Sequence, residues 1–299
     1  MMRLRGLSAV ILALLLWGCG EKDSTVVPAF VHIDAIQLVT PTENAVTTDA
    51  GFYTSDIVAV RLVAHRANQT SLDTLGLYEL PITAPVLCDG TLDYLEVTPT
   101  VQQSGSSKAL IPYTFYKSIK LSNVSLHSGD TLNLGTLTTT YDPIIGVLMY
   151  ELFEPVYGSL KFDSVMIWEA HAPTEACTGE GYGRVHVLPT ESSKDFSITN
   201  GFVVNDATLA LYLELDTRSD MDFEVYMNSS YRQGGSIVRE PVMVVRASDE
   251  WKHLYINLGR TWINPFNNNP NFSLSFAALN VNGVEGDIRL DNIKLITRP

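Results

Sequence analysis

Glu214 and Asp216 are two acids whose spacing suits acid–base chemistry. They extend the alternating run Leu211-Tyr212-Leu213-Glu214-Leu215, which has the period of a strand, so residues two apart share one face. Paired carboxylates flanking a glycosidic bond are the machinery of glycoside hydrolysis. Acids alternating along a solvated strand face are far commoner, and that is the expectation here. Glu169 and His171 are also two apart on one predicted face, where a metal would need a third ligand from elsewhere. The histidines at 32, 65, 127, 171, 186 and 253 are otherwise single, and GxSxG, HExxH, P-loop and GxGxxG patterns are missing. The expectation is a protein that is not an enzyme. The binding candidate is the loop from Arg260 to Asn271, in which Pro and Asn break regular structure around Trp262, Phe266 and Asn267. Aromatics beside amides suit sugar stacking or protein docking; the plain alternative is that Trp262 and Phe266 cap a core. Tyr182, within Gly179-Glu180-Gly181-Tyr182-Gly183, and Tyr231 are weaker loop candidates.

The elements that must position these residues read as strands. Val58-Ala59-Val60-Arg61-Leu62, Phe223-Glu224-Val225-Tyr226, Trp251 through Ile256 and Ile288 through Leu295 are β-rich. Turn residues at Asp89-Gly90, Ser128-Gly129-Asp130, Gly234-Gly235 and Asn282-Gly283 separate such segments. No stretch carries a long, capped helical period. The class expected is all-β, with a break at Tyr141-Asp142-Pro143. Residues 28–141 would form an N-terminal β-sandwich, Ig-like or PEGA-like, and 142–299 a C-terminal jelly-roll sandwich.

The first residues read differently. Arg3 and Arg5 precede an apolar run from Leu7 to Trp17, broken only by Ser8 and too short to cross ~30 Å of hydrocarbon. Leu16-Trp17-Gly18-Cys19 then resembles the bacterial lipobox, in which the cysteine is lipidated and becomes the first mature residue. That resemblance implies a signal peptide over 1–18, a lipidated tether over 19–27 and anchoring to a membrane through Cys19. Each buried CH₂ contributes ~0.8 kcal/mol, so a multiply acylated cysteine holds firmly where one chain would not. Glu21-Lys22-Asp23 resembles the export signal of surface-facing Bacteroidota lipoproteins. The formal charge is −13, and loss of the two leader arginines makes the mature chain more acidic still. This charge argues against binding to nucleic acid, which needs clustered Lys and Arg. Cys88 and Cys177 fall in different predicted units; an oxidising compartment permits a bridge, but two separate thiols are the simpler expectation.

Several segments carry resemblances. Val27-Pro28-Ala29-Phe30-Val31-His32-Ile33-Asp34, Glu79-Leu80-Pro81, Pro85-Val86-Leu87, Pro112-Tyr113-Thr114-Phe115-Tyr116 and Trp251-Lys252-His253-Leu254-Tyr255 resemble segments of a group of Bacteroidota surface lipoproteins. These motifs are structural, and they imply lineage and architecture more than activity. The ending Asp291-Asn292-Ile293-Lys294-Leu295 resembles the last strand of jelly-roll carbohydrate-binding modules. Some of those hold a structural Ca²⁺ through that aspartate and an early acid, which implies Asp291 with Glu151 or Glu154 here. The plainer reading, a strand-edge aspartate making a turn hydrogen bond, is favoured. Glu214 and Asp216 resemble the start of the ExDxxE run of one sandwich glycosidase family, but Ser219 stands where the third acid belongs. Together these readings lead to an expectation: a non-enzymatic, lipid-anchored outer-membrane surface protein with a protein partner in that membrane. The alternative is capture of polysaccharide by the C-terminal jelly roll.

Overall fold

A computed structural model of the chain describes residues 27–66, 73–88, 90–104, 109–155, 160–170, 176–204, 208–230, 237–259 and 271–299. The protein is all-β; the helical element among the described residues is one 3₁₀ turn, η1 (Ala50–Tyr53). No helix among them is long and apolar enough to cross a membrane.

The first ten strands are β1 (Ala29–Ile33), β2 (Ala35–Leu38), β3 (Ala59–Arg66), β4 (Asp73–Glu79), β5 (Ile82–Val86), β6 (Gly90–Gln102), β7 (Leu110–Pro112), β8 (Ile119–Leu126), β9 (Thr131–Asn133) and β10 (Thr136–Thr139). β6 organises this half: β3 runs along one edge, β8 and then β7 along the other, and β4 pairs outside β3. A second sheet, β5-β1-β9, and the parallel pair β10-β2 complete it. Alternate residues of these strands meet in one core: Val31, Ile33, Ala84 and Val86 with Val60, Leu62, Leu92, Leu95 and Val97.

The last ten strands are β11 (Gly146–Glu151), β12 (Ile167–Ala170), β13 (Gly181–Val187), β14 (Ser193–Phe202), β15 (Ala210–Ser219), β16 (Asp222–Ser230), β17 (Ile237–Val245), β18 (Ser248–Asn257), β19 (Asn271–Leu279) and β20 (Gly286–Arg298). They make a two-sheet sandwich. One sheet has the order β12-β13-β20-β15-β18, with β11 on the far half of β20; the other is β14-β19-β16-β17. Leu211, Leu213, Leu215, Ile288, Leu290, Ile293 and Leu295 face Phe196, Phe223, Leu274 and Phe276 across the core. The Phe196 and Phe276 rings stack with centroids 5.0 Å apart.

Part of the other face of the six-stranded sheet is buried as well. There Tyr212, Tyr255 and Ile296 pack against Phe52, Tyr113, Phe115, Tyr116 and Tyr141 of the first half. Gln103 bridges Tyr255 between the halves, and Tyr116 bridges Tyr141 beside the connection. The face expected to be solvated is thus partly an internal interface. Two further expectations are settled locally. Tyr182 is in no loop but on β13, 3 % exposed, because Gly181 and Gly183 let that strand pass close to Phe153. Cys88 and Cys177 are free thiols. The 1–18 leader, Cys19, Tyr231, Trp262, Phe266, Asn267 and His171 lie outside the described residues.

Candidate functional site

Register decides which side chains share the outer face of the six-stranded sheet. The residues Val185, Val187, Leu211, Leu213, Leu215, Leu254, Ile256, Ile288 and Leu290 point into the sandwich core. Their neighbours therefore point the other way. On β12 these are Ile167 and Glu169; on β13, Tyr182, Arg184 and His186; on β20, Asp287, Arg289 and Asp291. On β15 they are Tyr212, Glu214, Asp216 and Arg218, and on β18 Trp251, His253 and Tyr255. The β15–β20 register shifts between Glu214 and Asp216, opposite Asn292 in the left-handed region with φ 47°. Asparagine tolerates that conformation, and the bulge keeps Lys294 and Ile296 on the outer face.

One half of this face is sealed. Lys294 and Glu214 are fully buried, with Lys294 Nζ 2.9 Å from Glu214 Oε2. Lys294 Nζ also donates to the carbonyl of Phe52 at 3.0 Å and that of Thr54 at 3.3 Å. Tyr113 and Tyr141 each donate their hydroxyl to a Glu214 oxygen at 2.6 Å. His253, 4 % exposed, contacts Asp216 through Nδ1 at 2.9 Å and lies 3.7 Å from Glu214 through Nε2. Asn292 donates to Asp216 at 2.8 Å. Gly51 of η1 sits over this group: a Cβ there would lie 2.5 Å from Asn292 Oδ1, so only glycine allows the approach.

The electrostatics follow from that packing. Burial would push Glu214 up, but Lys294, His253 and Tyr113 together hold its carboxyl at about 2. Burial acts against the Asp216 anion too, and His253 outweighs it to keep that carboxyl low. His253 is disfavoured as a cation by burial, yet Asp216 and Glu214 raise its pKa. Asp291 has no such cation: burial, with Asp216 and Glu154 adding, lifts it to about 8 against the pull of the Thr178 and Asn292 N–H groups. Burial also holds Tyr113, Tyr116, Tyr141 and Tyr255 well above the usual phenol range. A carboxylate locked between a lysine and two tyrosines, out of reach of solvent, cannot take a proton from a substrate. The Glu214–Asp216 pair is therefore part of a polar clamp between the two halves, not a catalytic pair.

The other half of the face is polar and partly exposed, with Tyr182 buried at its base. Arg184 reaches Glu169 Oε1 at 2.7 Å and Asp287 Oδ1 at 2.8 Å, and Arg289 reaches Asp287 Oδ2 at 2.9 Å. His186 contacts Asp287 at 2.9 Å and Glu285 at 3.3 Å. Burial disfavours the Asp287 anion, but Arg184, His186 and Arg289 hold its carboxyl below the usual range. Tyr182 donates to Glu169 Oε2 at 3.3 Å and meets the half-buried Trp251 edge to face, centroids 6.1 Å apart. Planar donors and acceptors, fixed in place by one another beside an indole, form a platform that can order a polar ligand on a rigid sheet.

Of the proposed calcium ligands, Glu151 accepts from the N–H groups of Phe153 and Leu160 and Glu154 from that of Glu180. Asp291 accepts from Thr178 and Asn292. Among the described residues no group of three or more His, Cys, Asp or Glu is placed to hold a metal ion. Calcium takes six to eight oxygens, and here each of these acids is engaged by backbone N–H groups. Glu151, Glu154 and Asp163 instead line a cleft of about 690 Å³ with Phe153, Phe162, Met166 and Trp168 at the margin of the sandwich core. Sequence reasoning misses both this cleft and the arginines of the open face; the signal available is the strict alternation of Tyr182, Arg184 and His186.

No protein-family model and no curated protein matches the chain. Solved structures do. A CBM22-1 xylan-binding domain of Paenibacillus barcinonensis Xyn10C aligns at 13% identity over 51% of this chain and 94% of its own, with a TM-score of 0.37. The family 30 carbohydrate-binding module of cellulosomal cellulase Cel9D-Cel44B of Clostridium thermocellum aligns at 18% identity over 51% and 93%, also with a TM-score of 0.37. A mutant family 29 carbohydrate-binding module aligns at 11% identity over 51% and 89%, with a TM-score of 0.31. At these values the likeness assigns neither a family nor a ligand.

Proposed function

We propose that this protein is a non-catalytic carbohydrate-binding protein, held at the outer membrane by a lipid on Cys19, that captures polysaccharide on the open half of its six-stranded sheet. The observation that carries the reading is the platform itself: the half-buried Trp251, backed by the buried Tyr182 and flanked by Arg184, His186, Asp287, Arg289 and Glu169, whose planar groups are locked by mutual contacts. Sugars present apolar ring faces and rims of hydroxyls, and such surfaces match an indole beside fixed donors and acceptors. The sealed Glu214 leaves the acid pair without access to a scissile bond.

Affinity electrophoresis of the full chain through gels containing soluble polysaccharides tests this. At least one glycan is expected to retard the protein, and Trp251→Ala is expected to weaken that retardation by roughly tenfold, the scale of a lost aromatic contact. Retardation by no glycan, or an unchanged constant in a folded Trp251→Ala protein, would overturn the assignment. The anchor has its own test: Cys19→Ser is expected to move the protein from the membrane fraction to the soluble one, since the acyl chains supply the membrane affinity.

An accessory-subunit role is the second reading. Leu188, Val281 and Val284 are 45%, 86% and 47% exposed, on turns that Asn280 ties together through the carbonyls of Leu188 and Val284. Capture from native membranes in mild detergent separates the readings; a stoichiometric outer-membrane partner together with no glycan affinity would move the assignment to the second.

A further inference from the structure

The open platform carries a row of like charges with one gap filled and one not. In register, Arg184 of β13 lies directly opposite Arg289 of β20, and Arg289 lies directly opposite Arg218 of β15. Neighbouring strands are ~4.8 Å apart, and like charges facing each other across them are destabilising unless something intervenes. Between Arg184 and Arg289 something does: the Asp287 carboxylate takes Arg184 Nε on one oxygen at 2.8 Å and Arg289 Nη2 on the other at 2.9 Å. Between Arg289 and Arg218 there is no counterpart among the described residues. Asp220 lies 3.5 Å from Arg289 Nη1, with its Oδ2 already accepting from the Asp287 N–H at 2.9 Å. The Arg218 Nε is buried and, like that of Arg184, makes no hydrogen bond of good geometry; unlike Arg184, which has Glu169 and Asp287 beside it, Arg218 has no carboxylate in ion-pair contact among the described residues. In a chain with 33 acidic residues against 20 basic ones, an arginine facing a second arginine with no carboxylate between them runs against the composition.

We propose that the anionic group of an acidic glycan, a uronate carboxylate or a sulfate ester, seats between Arg289 and Arg218 as Asp287 does between Arg184 and Arg289. This rests on the carbohydrate-binding reading and narrows it to charged polysaccharides. Two oxygens of a carboxylate or of a sulfate ester match the guanidinium fork, and two forks on adjacent strands grip the anion from both sides. Trp251, on the neighbouring strand β18, is placed for the sugar ring that carries the charge. The negative charge of the whole molecule repels polyanions at long range, so affinity must come from this local fit and not from a general basic surface.

The full chain in detergent is assayed by affinity electrophoresis against polygalacturonate, chondroitin sulfate, neutral xylan and single-stranded DNA, each at low and moderate salt. Retardation by polygalacturonate assigns the carboxylate, and retardation by chondroitin sulfate, which carries both uronate and sulfate, assigns an acidic sugar without choosing between them; either upholds the proposal if Arg218→Ala weakens it by about tenfold or more. Arg218→Lys, which keeps the charge and loses the fork, is expected to fall between the two. Melting midpoints of both variants are measured alongside, and if Arg218→Ala melts early the comparison is made with Arg218→Lys. Binding of xylan that is indifferent to Arg218 would overturn the acidic-glycan proposal and leave carbohydrate binding standing. Retardation by single-stranded DNA as strong as by the acidic glycans would overturn it as mere polyanion attraction. Failure of every glycan would remove both.

Discussion

Replacing Lys294 by methionine is expected to destabilise the protein by about 3–5 kcal/mol, the scale of a buried ion pair that loses one member. Methionine matches the length of the lysine stem, so packing changes little and the effect isolates the charge. Glu214 would be left as a buried anion with two tyrosine hydroxyls and a histidine 3.7 Å away, and the carbonyls of Phe52 and Thr54 would lose their donor. Adding Glu214→Gln to Lys294→Met is expected to recover part of the loss, because a neutral amide needs no counter-charge; the carbonyls stay unpaired and limit the gain. Urea unfolding of the wild type, the single and the double variant measures this. A single-variant loss below about 1 kcal/mol would mean that the clamp is solvated and the halves are not fused through it. Because Phe52, Thr54, Tyr113 and Tyr141 belong to the first half and Glu214 and Lys294 to the second, the variant also measures how strongly the N-terminal sandwich holds the six-stranded sheet.

Stability is expected to peak in the mildly acidic range and to decline on both sides of it. Glu214 has a folded value of about 2 against an ordinary 4.5, so its contribution is complete above the ordinary value and is lost as pH falls from 4.5 toward 2. Asp216, also lowered, acts in the same direction. At about 1.4 kcal/mol per pKa unit, Glu214 alone accounts for about 3 kcal/mol on the acid side. Asp291 works the other way. Its folded value of about 8 lies far above 3.8, so the folded protein holds a proton that the unfolded chain releases, and stability falls as pH rises from about 4 to about 8. His253 adds to that limb: its pKa is raised above 6.5, so its contribution is full below 6.5 and is lost as pH rises through the folded value. Melting midpoints recorded across the acid, neutral and mildly alkaline range check the shape, and Asp291→Asn is expected to flatten the alkaline limb and to raise stability near the folded value of about 8. A wild-type optimum at or above that value, or an Asp291→Asn protein less stable there, would contradict the assignment of Asp291 as a neutral buried acid.

Much of this architecture is written locally. Two-residue alternation in β15, β16, β18 and β20, with turns of Gly, Asn and Asp between strands, specifies an all-β chain, because side chains of a strand alternate between its faces whatever it packs on. Alternation says which residues share a face and not what covers that face. Glu214 and Asp216 illustrate the difference: their spacing places them together, but only the approach of Gly51, Phe52, Tyr113 and Tyr141, 73 positions away or more along the chain, turns a predicted solvated pair into a sealed clamp. Lys294 is a local clue, a lone cation inside Ile293-Lys294-Leu295-Ile296, and its partner is illegible because the β15–β20 pairing is non-local. Arg184, Arg218 and Arg289 are each ordinary in sequence and become a row only through the register of β13, β20 and β15. Strand period, and with it the fold class, is a property of neighbours along the chain and is readable from residue order. Burial, charge pairing and the open arginine gap arise only once the chain has folded, since they depend on which distant strands lie side by side.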